Sequence, residues 1–352
     1  MRDCEERAPD FFGGLKAYAK QNKLPFSAAF ELTPHCNFRC VMCYVRLSAE
    51  EARMQGKLLP AEEWIKTARQ AKEMGTLMLT LTGGEPFLHP EFWEIYRELN
   101  SMGFLISVLS NGYAIDDAVM DRFREYGMPY SMKLTLYGAS DETYRRVCGV
   151  TDGFTRVSDG VRRILDAGIP LKMTSTIVRE NACDLQEIYR FARERAIPMQ
   201  HTVSVVRSAR GAVNTADDSR FDFADFSDEL TLDALEKSKF PPLSSPFAWC
   251  GSYETSFWMT WHGHIQLCAF MNAPFVQWSG DLGHDWRNLL GKLEAIRSPK
   301  ECADCKWQKF CQRCPGILCG ESGDPEKISD SLCRTAKRLC EIYEIKKKEE
   351  IQ

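Results

Sequence analysis

The sequence predicts an α/β fold, a partial (β/α)6 barrel with a parallel sheet, followed by a small cysteine-rich domain. Three observations carry that prediction. From residue 26 to 206, apolar β-branched runs alternate with amphipathic helical stretches. Six such units at ~30 residues each take ~180 residues, whereas a closed eight-unit barrel takes ~250. The cysteines, finally, crowd into the last third of the chain. Strict βα alternation implies parallel strands with right-handed crossovers. Such a barrel is open on one side and works at the C-terminal ends of its strands.

The expected strands are Phe26–Thr33, Thr76–Thr82, Phe104–Leu109, Tyr130–Leu136, Leu171–Val178 and Met199–Val206. The first helix between them has Pro60 near its start and Gly75 past its end. Trp64, Ile65, Ala68 and Ala71 lie along one face. The fourth shows Phe154, Val157, Val161, Ile164 and Leu165 before Gly168, and the fifth Leu185, Ile188, Tyr189 and Ala192. Residues 1–25 show little pattern and read as an N-terminal extension. The barrel is placed at 26–206. Residues 207–248, with Asp217-Asp218 through Asp228-Glu229 and then Pro241-Pro242 and Pro246, read as a bridge. Residues 249–340 form the cysteine-rich domain, expected to depend on metals for folding. A tail over 341–352 reads as a solvated helix end.

At 352 residues the chain can bury a sizeable core. It is 44% hydrophobic and 27% charged, which suits a globular protein. A net charge of −4 argues against nucleic acid or anionic membrane as a partner. No apolar run approaches the ~20 residues of a membrane span, and the charged start Met1-Arg2-Asp3-Cys4 lacks the apolar core of a secretory signal. Fifteen cysteines, an odd and unevenly placed set, fit metal or cluster ligation better than disulfides. Reduced thiols point to the cytoplasm.

Cys36, Cys40 and Cys43 follow the first strand in a C-x-x-x-C-x-x-C array. Three thiolates on a four-iron cluster leave one iron open for chemistry, much as catalytic zinc keeps an open position. Structural zinc, or three unrelated buried cysteines, would fit the spacing alone. The stretch Glu31-Leu32-Thr33-Pro34-His35-Cys36 through Cys43-Tyr44 closely resembles the cluster loop of the radical S-adenosylmethionine (SAM) superfamily. Thr82-Gly83-Gly84-Glu85-Pro86, at the end of the second strand, is similar to the family's G-G-E-P segment. The resemblance implies a [4Fe-4S] cluster on Cys36, Cys40 and Cys43, with SAM chelated at the open iron. It implies that Gly83, Gly84, Glu85 and Pro86 line the methionine end, with Ser110, Asn111, Lys133 and Thr135 near the ribose and carboxylate. Met42 stands where the family often has an aromatic near the adenine. Ser110, Asn111, Lys133 and Thr135 also read as a polar turn and strand alternation, and Met42 as core. The family's reaction, reductive cleavage of SAM to methionine and a 5′-deoxyadenosyl radical that takes a hydrogen atom, is the activity implied.

The second set is Cys250, Cys268, Cys302, Cys305, Cys311, Cys314, Cys319 and Cys333. Two C-x-x-C pairs suit zinc, and eight thiolates also match two four-iron clusters by count. Their order resembles the SPASM domain, the auxiliary-cluster extension of radical SAM enzymes that modify peptides. By that resemblance Cys302, Cys305, Cys311 and Cys333 hold an outer [4Fe-4S] cluster, and Cys250, Cys268 and Cys314 an inner one. Two residues rather than the family's usual three separate Cys311 from Cys314, so the fourth inner ligand stays open between Cys319, a substrate group and none. Cys4, Cys148, Cys183 and Cys340 have no partner spacing and read as ordinary free cysteines. His262 and His264 flank Gly263 in an expected hairpin, where a turn role outweighs ligation. His35 and His89 stand beside prolines, where loop roles suffice.

The resemblance points to a peptide or protein substrate, with crosslinking, epimerisation or oxidation as outcomes. It also points to a flavodoxin- or ferredoxin-like electron donor. Only about 25 residues precede the barrel, so leader recognition is expected to fall to the bridge, the barrel or a separate protein. The alternatives are radical chemistry on a small molecule such as a tetrapyrrole, and a non-catalytic iron–sulfur or zinc protein.

Overall fold

The computed structural model describes residues 11–207, 209–210, 216–220 and 245–349. All six expected strands form, each within its expected span or a residue from it: β1 Ser27–Glu31, β2 Met78–Thr82, β3 Leu105–Ser110, β4 Ser131–Thr135, β5 Leu171–Thr176 and β6 Met199–Thr202. They pair in parallel and in sequence order, in register Glu31↔Thr82, Val108↔Met132, Thr135↔Thr174 and Thr176↔Thr202. Burial alternates along β3 and β5, with Ile106, Val108, Leu171 and Met173 turned to the helices. The opposite face carries Ser107, Lys133, Lys172 and Thr174, which are partly or fully exposed. This is the concave side of an open barrel.

The sheet does not stop at six strands. A short strand, β7 (Ser256–Met259), pairs in parallel with β1, and β8 (His264–Gln266) and β9 (Val276–Gln277) add on antiparallel. One nine-stranded sheet results, in the order β6-β5-β4-β3-β2-β1-β7-β8-β9. β1 therefore lies between two neighbours, and Ala28 to Glu31 are all buried. The region after Cys250 thus begins as an extension of the barrel sheet.

The helices bury the expected faces. Helix α3 (Ala61–Glu73) hides Trp64, Ile65, Ala68 and Ala71, and Gly75 follows it with φ 98°. Helix α7 (Gly153–Asp166) hides Val157, Val161 and Ile164, but Leu165 is exposed rather than part of the buried stripe. Helix α8 (Leu185–Glu194) hides Leu185, Ile188 and Ala192. The N-terminal extension, read as patternless, holds helix α1 (Phe11–Gln21). Of the expected bridge, residues 208, 211–215 and 221–244 lie outside the described residues, as do Cys4 and the tail residues 350–352. Among the described residues no helix is long and apolar enough to cross a membrane.

Candidate active site

The three-cysteine loop sits between strand ends and the end of a helix. Helix α6 (Asp141–Cys148) is capped by Ser140 and stopped by Gly149 at φ 72°, a left-handed conformation that glycine takes without strain. The last carbonyls of a helix have no partner inside it. Here the loop supplies partners: Arg39 N–H donates to the Cys148 carbonyl at 2.8 Å and Val41 N–H to that of Val147 at 3.0 Å. On the other side, Gly84 N–H donates to the Thr33 carbonyl at 2.7 Å and Glu85 N–H to that of His35 at 2.8 Å. A Cβ on Gly84 would lie 2.4 Å from the His35 carbonyl oxygen, and one on Gly83 2.6 Å from that of Thr33. The two glycines are thus required by their approach to the cysteine loop itself.

Glu85 is fully buried at the end of β2. Its carboxylate accepts from Ser110 Oγ at 2.9 Å and from Asn111 N–H at 2.9 Å. Burial nevertheless pushes its pKa up to about 7, against those donors and Phe87 N–H. No cation faces it among the ion pairs of the described residues. Asn111 continues the chain of contacts, donating from Nδ2 to Asn37 Oδ1 at 2.8 Å and to the Cys36 sulfur at 3.6 Å. Glu85, Ser110, Asn111 and Cys36 are therefore joined. Pro86 is buried and opens a short 3-10 turn, and Met42 is buried in the core beneath the loop. Thr135 and Lys133 lie on the concave face of β4. Lys133 makes no ion pair among the described residues and sits across from Lys172. Burial, then the Lys172 charge, lowers its pKa.

Each of the three sulfurs has donors aimed at it. Phe38 N–H points to Cys36 at 3.3 Å. The N–H groups of Val45 and Arg46 serve Cys43. Cys40 is met by the Tyr137 hydroxyl, which favours its thiolate, and lies against the Cys148 thiol, which favours its protonated form. As free thiols they resist ionisation: burial raises Cys36 and pushes Cys43 up to about 11, while the Cys148 contact and then burial hold Cys40 well above its ordinary range. Iron would supply the positive charge that burial withholds. This donor set of three soft sulfurs, each hydrogen-bonded and one beside an open space, fits an iron–sulfur cluster. That space is a cavity of about 550 Å³ lined by His35, Cys36, Phe38, Arg39 and Arg46, among others.

The C-terminal cysteines fall into two groups. Cys268, Cys250 and Cys314 act on one another electrostatically, and a Cβ on Gly316 would meet the Cys268 sulfur at 3.0 Å and the Cys314 sulfur at 3.8 Å. Cys302, Cys305, Cys311 and Cys333 form the second. Cys319 turns away from the first group, donating to Asn272 Oδ1 at 2.9 Å and to the Ala273 carbonyl at 3.5 Å. Among the described residues no three His, Cys, Asp or Glu side chains converge as one metal ion requires. A zinc ion would draw its sulfurs to roughly 2.3 Å from itself. His262 Nε2 and His264 Nδ1 face each other at 3.2 Å, with burial lowering both pKa values to about 4, so the pair is neutral. His89 is buried against the Leu59 carbonyl, a loop role. Cys183 and Cys340 join neither group; they contact Asp184 and Glu344.

Sequence reasoning missed three residues here. Cys148 lies against Cys40. Arg210 is buried and grips Glu31 with two bonds, Nε to Oε1 at 2.9 Å and Nη2 to Oε2 at 2.6 Å, while Trp258 Nε1 donates to the same carboxylate at 2.8 Å. Neighbouring Ala209 bonds both the carbonyl of Tyr44, next to Cys43, and Nδ2 of Asn272. This segment therefore ties the first cysteine loop to the C-terminal cysteines. A carboxylate inside the apolar run Phe26–Thr33 was the one signal available.

Comparison with known proteins bears on the family and the fold. Residues 30–192 match the model of the radical SAM superfamily. A probable GTP 3′,8-cyclase of Saccharolobus islandicus is 32% identical over 162 residues, 46% of this chain and 49% of that protein. A PqqA peptide cyclase of Rhizobium meliloti is 27% identical over 168 residues, 48% and 44% of the two chains. The match spans about half the length of these curated relatives. Among solved structures, Streptococcus suis SuiB bound to S-adenosylmethionine superposes with a TM-score of 0.64 at 16% identity, covering 95% of this chain and 83% of that one. Native anSMEcpe with bound AdoMet and the Cp18Cys peptide gives 0.62 at 16% identity, covering 93% and 100%. At such identities these two likenesses establish the shared fold. Residues 30–192 of this chain are a radical SAM domain, and a cysteine-rich region follows it.

Proposed function

We propose that the protein is a radical SAM enzyme that acts on a peptide or protein side chain, with two auxiliary iron–sulfur clusters in a SPASM domain over residues 249–340. One observation carries the reading: three hydrogen-bonded thiols stand at the strand ends, joined through Asn111 to a buried carboxylate that has no cation partner among the described residues. An iron–sulfur cluster on Cys36, Cys40 and Cys43 would supply the electron that cleaves SAM. The chain's own residues do the rest. Glu85 accepts the SAM ammonium, and Asn111 holds Glu85 and Cys36 in one frame. Thr135 offers a hydroxyl near the ribose, and the concave sheet shelters the reacting atoms from water.

The C-terminal cysteines support the auxiliary part. Cys302, Cys305, Cys311 and Cys333 make a full set for an outer four-iron cluster. Cys250, Cys268 and Cys314 make a set of three for an inner one, with Cys319 committed to Asn272. The inner cluster would then keep an iron free for a substrate group. SuiB has been solved with the precursor peptide SuiA and anSMEcpe with a peptide, and both share this fold. That supports peptide as the substrate class, and a flavodoxin- or ferredoxin-like protein as the electron source.

A second reading rests on Lys133 and Lys172. Two ammonium groups side by side on the concave face suit an anionic small molecule, and one set of relatives carries the name GTP 3′,8-cyclase. Deuterium separates the two. The enzyme is given SAM, reductant and extracts of its host grown in heavy water, split into peptide and small-molecule fractions. Deuterated 5′-deoxyadenosine from the peptide fraction alone is the expected result. Deuterium from the small-molecule fraction alone would replace the peptide reading with the second.

A further inference from the structure

The Cys36–Cys43 loop and the inner cysteine group meet through two aromatic rings. Tyr44 follows Cys43 directly, and Phe270 stands two residues past Cys268. Their ring centroids are 5.1 Å apart at an interplanar angle of 67°, an edge-to-face contact. Phe270 also borders the inner sulfurs. A Cβ on Gly316 would lie 3.0 Å from the Cys268 sulfur, 3.8 Å from the Cys314 sulfur and 3.8 Å from Phe270 Cβ. Burial first, then Glu31, Cys43 and Cys268, raise the Tyr44 pKa against the opposing charge of Arg210, so its hydroxyl senses a sulfur from each group.

The contact is held from its flanks. Ala209 N–H donates to the Tyr44 carbonyl at 3.0 Å, and the Ala209 carbonyl accepts from Asn272 Nδ2 at 3.0 Å. One residue thus staples the chain at Tyr44 to the chain just past Phe270. Around Phe270 itself, Met271 N–H donates to the Cys268 carbonyl at 3.2 Å, and Gln266 Nε2 donates to the same carbonyl at 2.7 Å. Met271 is fully buried. The gap between the rings is therefore fixed. An electron crosses packed atoms far faster than an open gap, because tunnelling falls off exponentially with distance and a close-packed interior leaves few voids.

Resting on the reading of the two cysteine groups as the SAM-binding cluster and the inner auxiliary cluster, we propose that the Tyr44–Phe270 contact is the route by which an electron passes between them. One electron leaves the reduced inner cluster as one enters the oxidised SAM-binding cluster. No bond forms or breaks, and no proton moves. The rings serve as the medium and are not themselves oxidised or reduced. A flavodoxin- or ferredoxin-like donor supplies the electron.

The test is flash photoreduction of the anaerobically reconstituted full chain with a deazaflavin, sampled by freeze-quenching and read by electron paramagnetic resonance. The SAM-binding cluster is the one whose signal changes when SAM is added, and the inner cluster is the one whose signal is lost in Cys268→Ala. The quantity read is the rate at which these two signals re-equilibrate after the flash. Phe270→Leu and Tyr44→Leu should each slow it several-fold, with the midpoint potentials and iron content of both clusters unchanged. Phe270→Tyr and Tyr44→Phe, which keep the rings, should retain the native rate. An unchanged rate in both leucine variants would overturn the inference. So would a Tyr44→Phe rate as slow as that of Tyr44→Leu, since the hydroxyl rather than the ring would then carry the effect. If one leucine variant sheds its cluster, the other decides, and loss of a cluster in both shows a packing role and refutes the route. A native protein that lacks either of the two signals would refute the reading of the cysteine groups, and this inference with it.

Discussion

The two cysteine-bearing regions are built differently. The Cys36–Cys43 loop is clamped from both sides, by the α6 end and by the Gly83–Glu85 turn, through bonds to residues tens of positions away. The run Cys302–Cys311 holds itself by short i→i+3 bonds: Cys302 N–H to Pro299, Cys305 N–H to Cys302 at 3.5 Å, Gln308 N–H to Cys305 and Cys311 N–H to Gln308. Isolated 3-10 turns of this kind have poor bond geometry and little cooperativity. Cys333 lies on the helix Asp330–Glu349 and is exposed. The first loop is thus shaped by the sheet before any guest arrives. The second relies on whatever bridges its thiols.

That contrast can be broken most forcefully at Cys311. Cys311→Ala should strip about four irons from the protein and open the C-terminal region to protease, while the barrel keeps its helicity and its SAM-responsive cluster. Iron and sulfide assay with limited proteolysis reads this. Equal damage to both regions would end the contrast. Next comes the joint between the regions. Arg210→Met leaves Glu31 buried without its partner, at a cost of roughly 3–5 kcal/mol. The double change Arg210→Met, Glu31→Leu should recover much of it, as thermal unfolding would show. Gly84→Ala then forces a Cβ against the His35 carbonyl and should cost about 1–3 kcal/mol. In the cysteine loop it should slow cluster loading without touching the C-terminal groups.

The smallest effect concerns pH. With its pKa held at about 7, Glu85 is neutral in acid and ionised in base. Only the ionised form attracts an ammonium, so SAM affinity should fall up to about tenfold for each unit below pH 7. Calorimetric titration at pH 6 and pH 8 measures it, and Glu85→Gln should flatten the profile. The same shift has a stability consequence of opposite sense. A carboxyl raised from 4.5 to about 7 makes the SAM-free barrel lose stability as pH rises between those values.

Much of this was written in local sequence pattern. The six barrel strands were legible because each is a β-branched run between amphipathic helices. The two cysteine groups were legible because ligand spacing is local. What escaped depends on contacts far apart in the chain. β7 is four residues long, and its partner β1 lies over two hundred positions away. Cys148 has no partner spacing because its partner is Cys40, across a helix end. Arg210 carries no local sequence signal, though it is buried on Glu31, 179 positions away. The double glycine was expected to line the methionine end of SAM; what the structure shows is its packing against the Thr33–His35 backbone.

The most direct test of the account is 5′-deoxyadenosine formation by anaerobically reconstituted protein given SAM and a strong reductant, with and without the deuterated peptide fraction. The account predicts product from the native chain and none when Cys36, Cys40 and Cys43 are all changed to Ala. A native protein loaded with iron and sulfide that yields no product in either condition would contradict it.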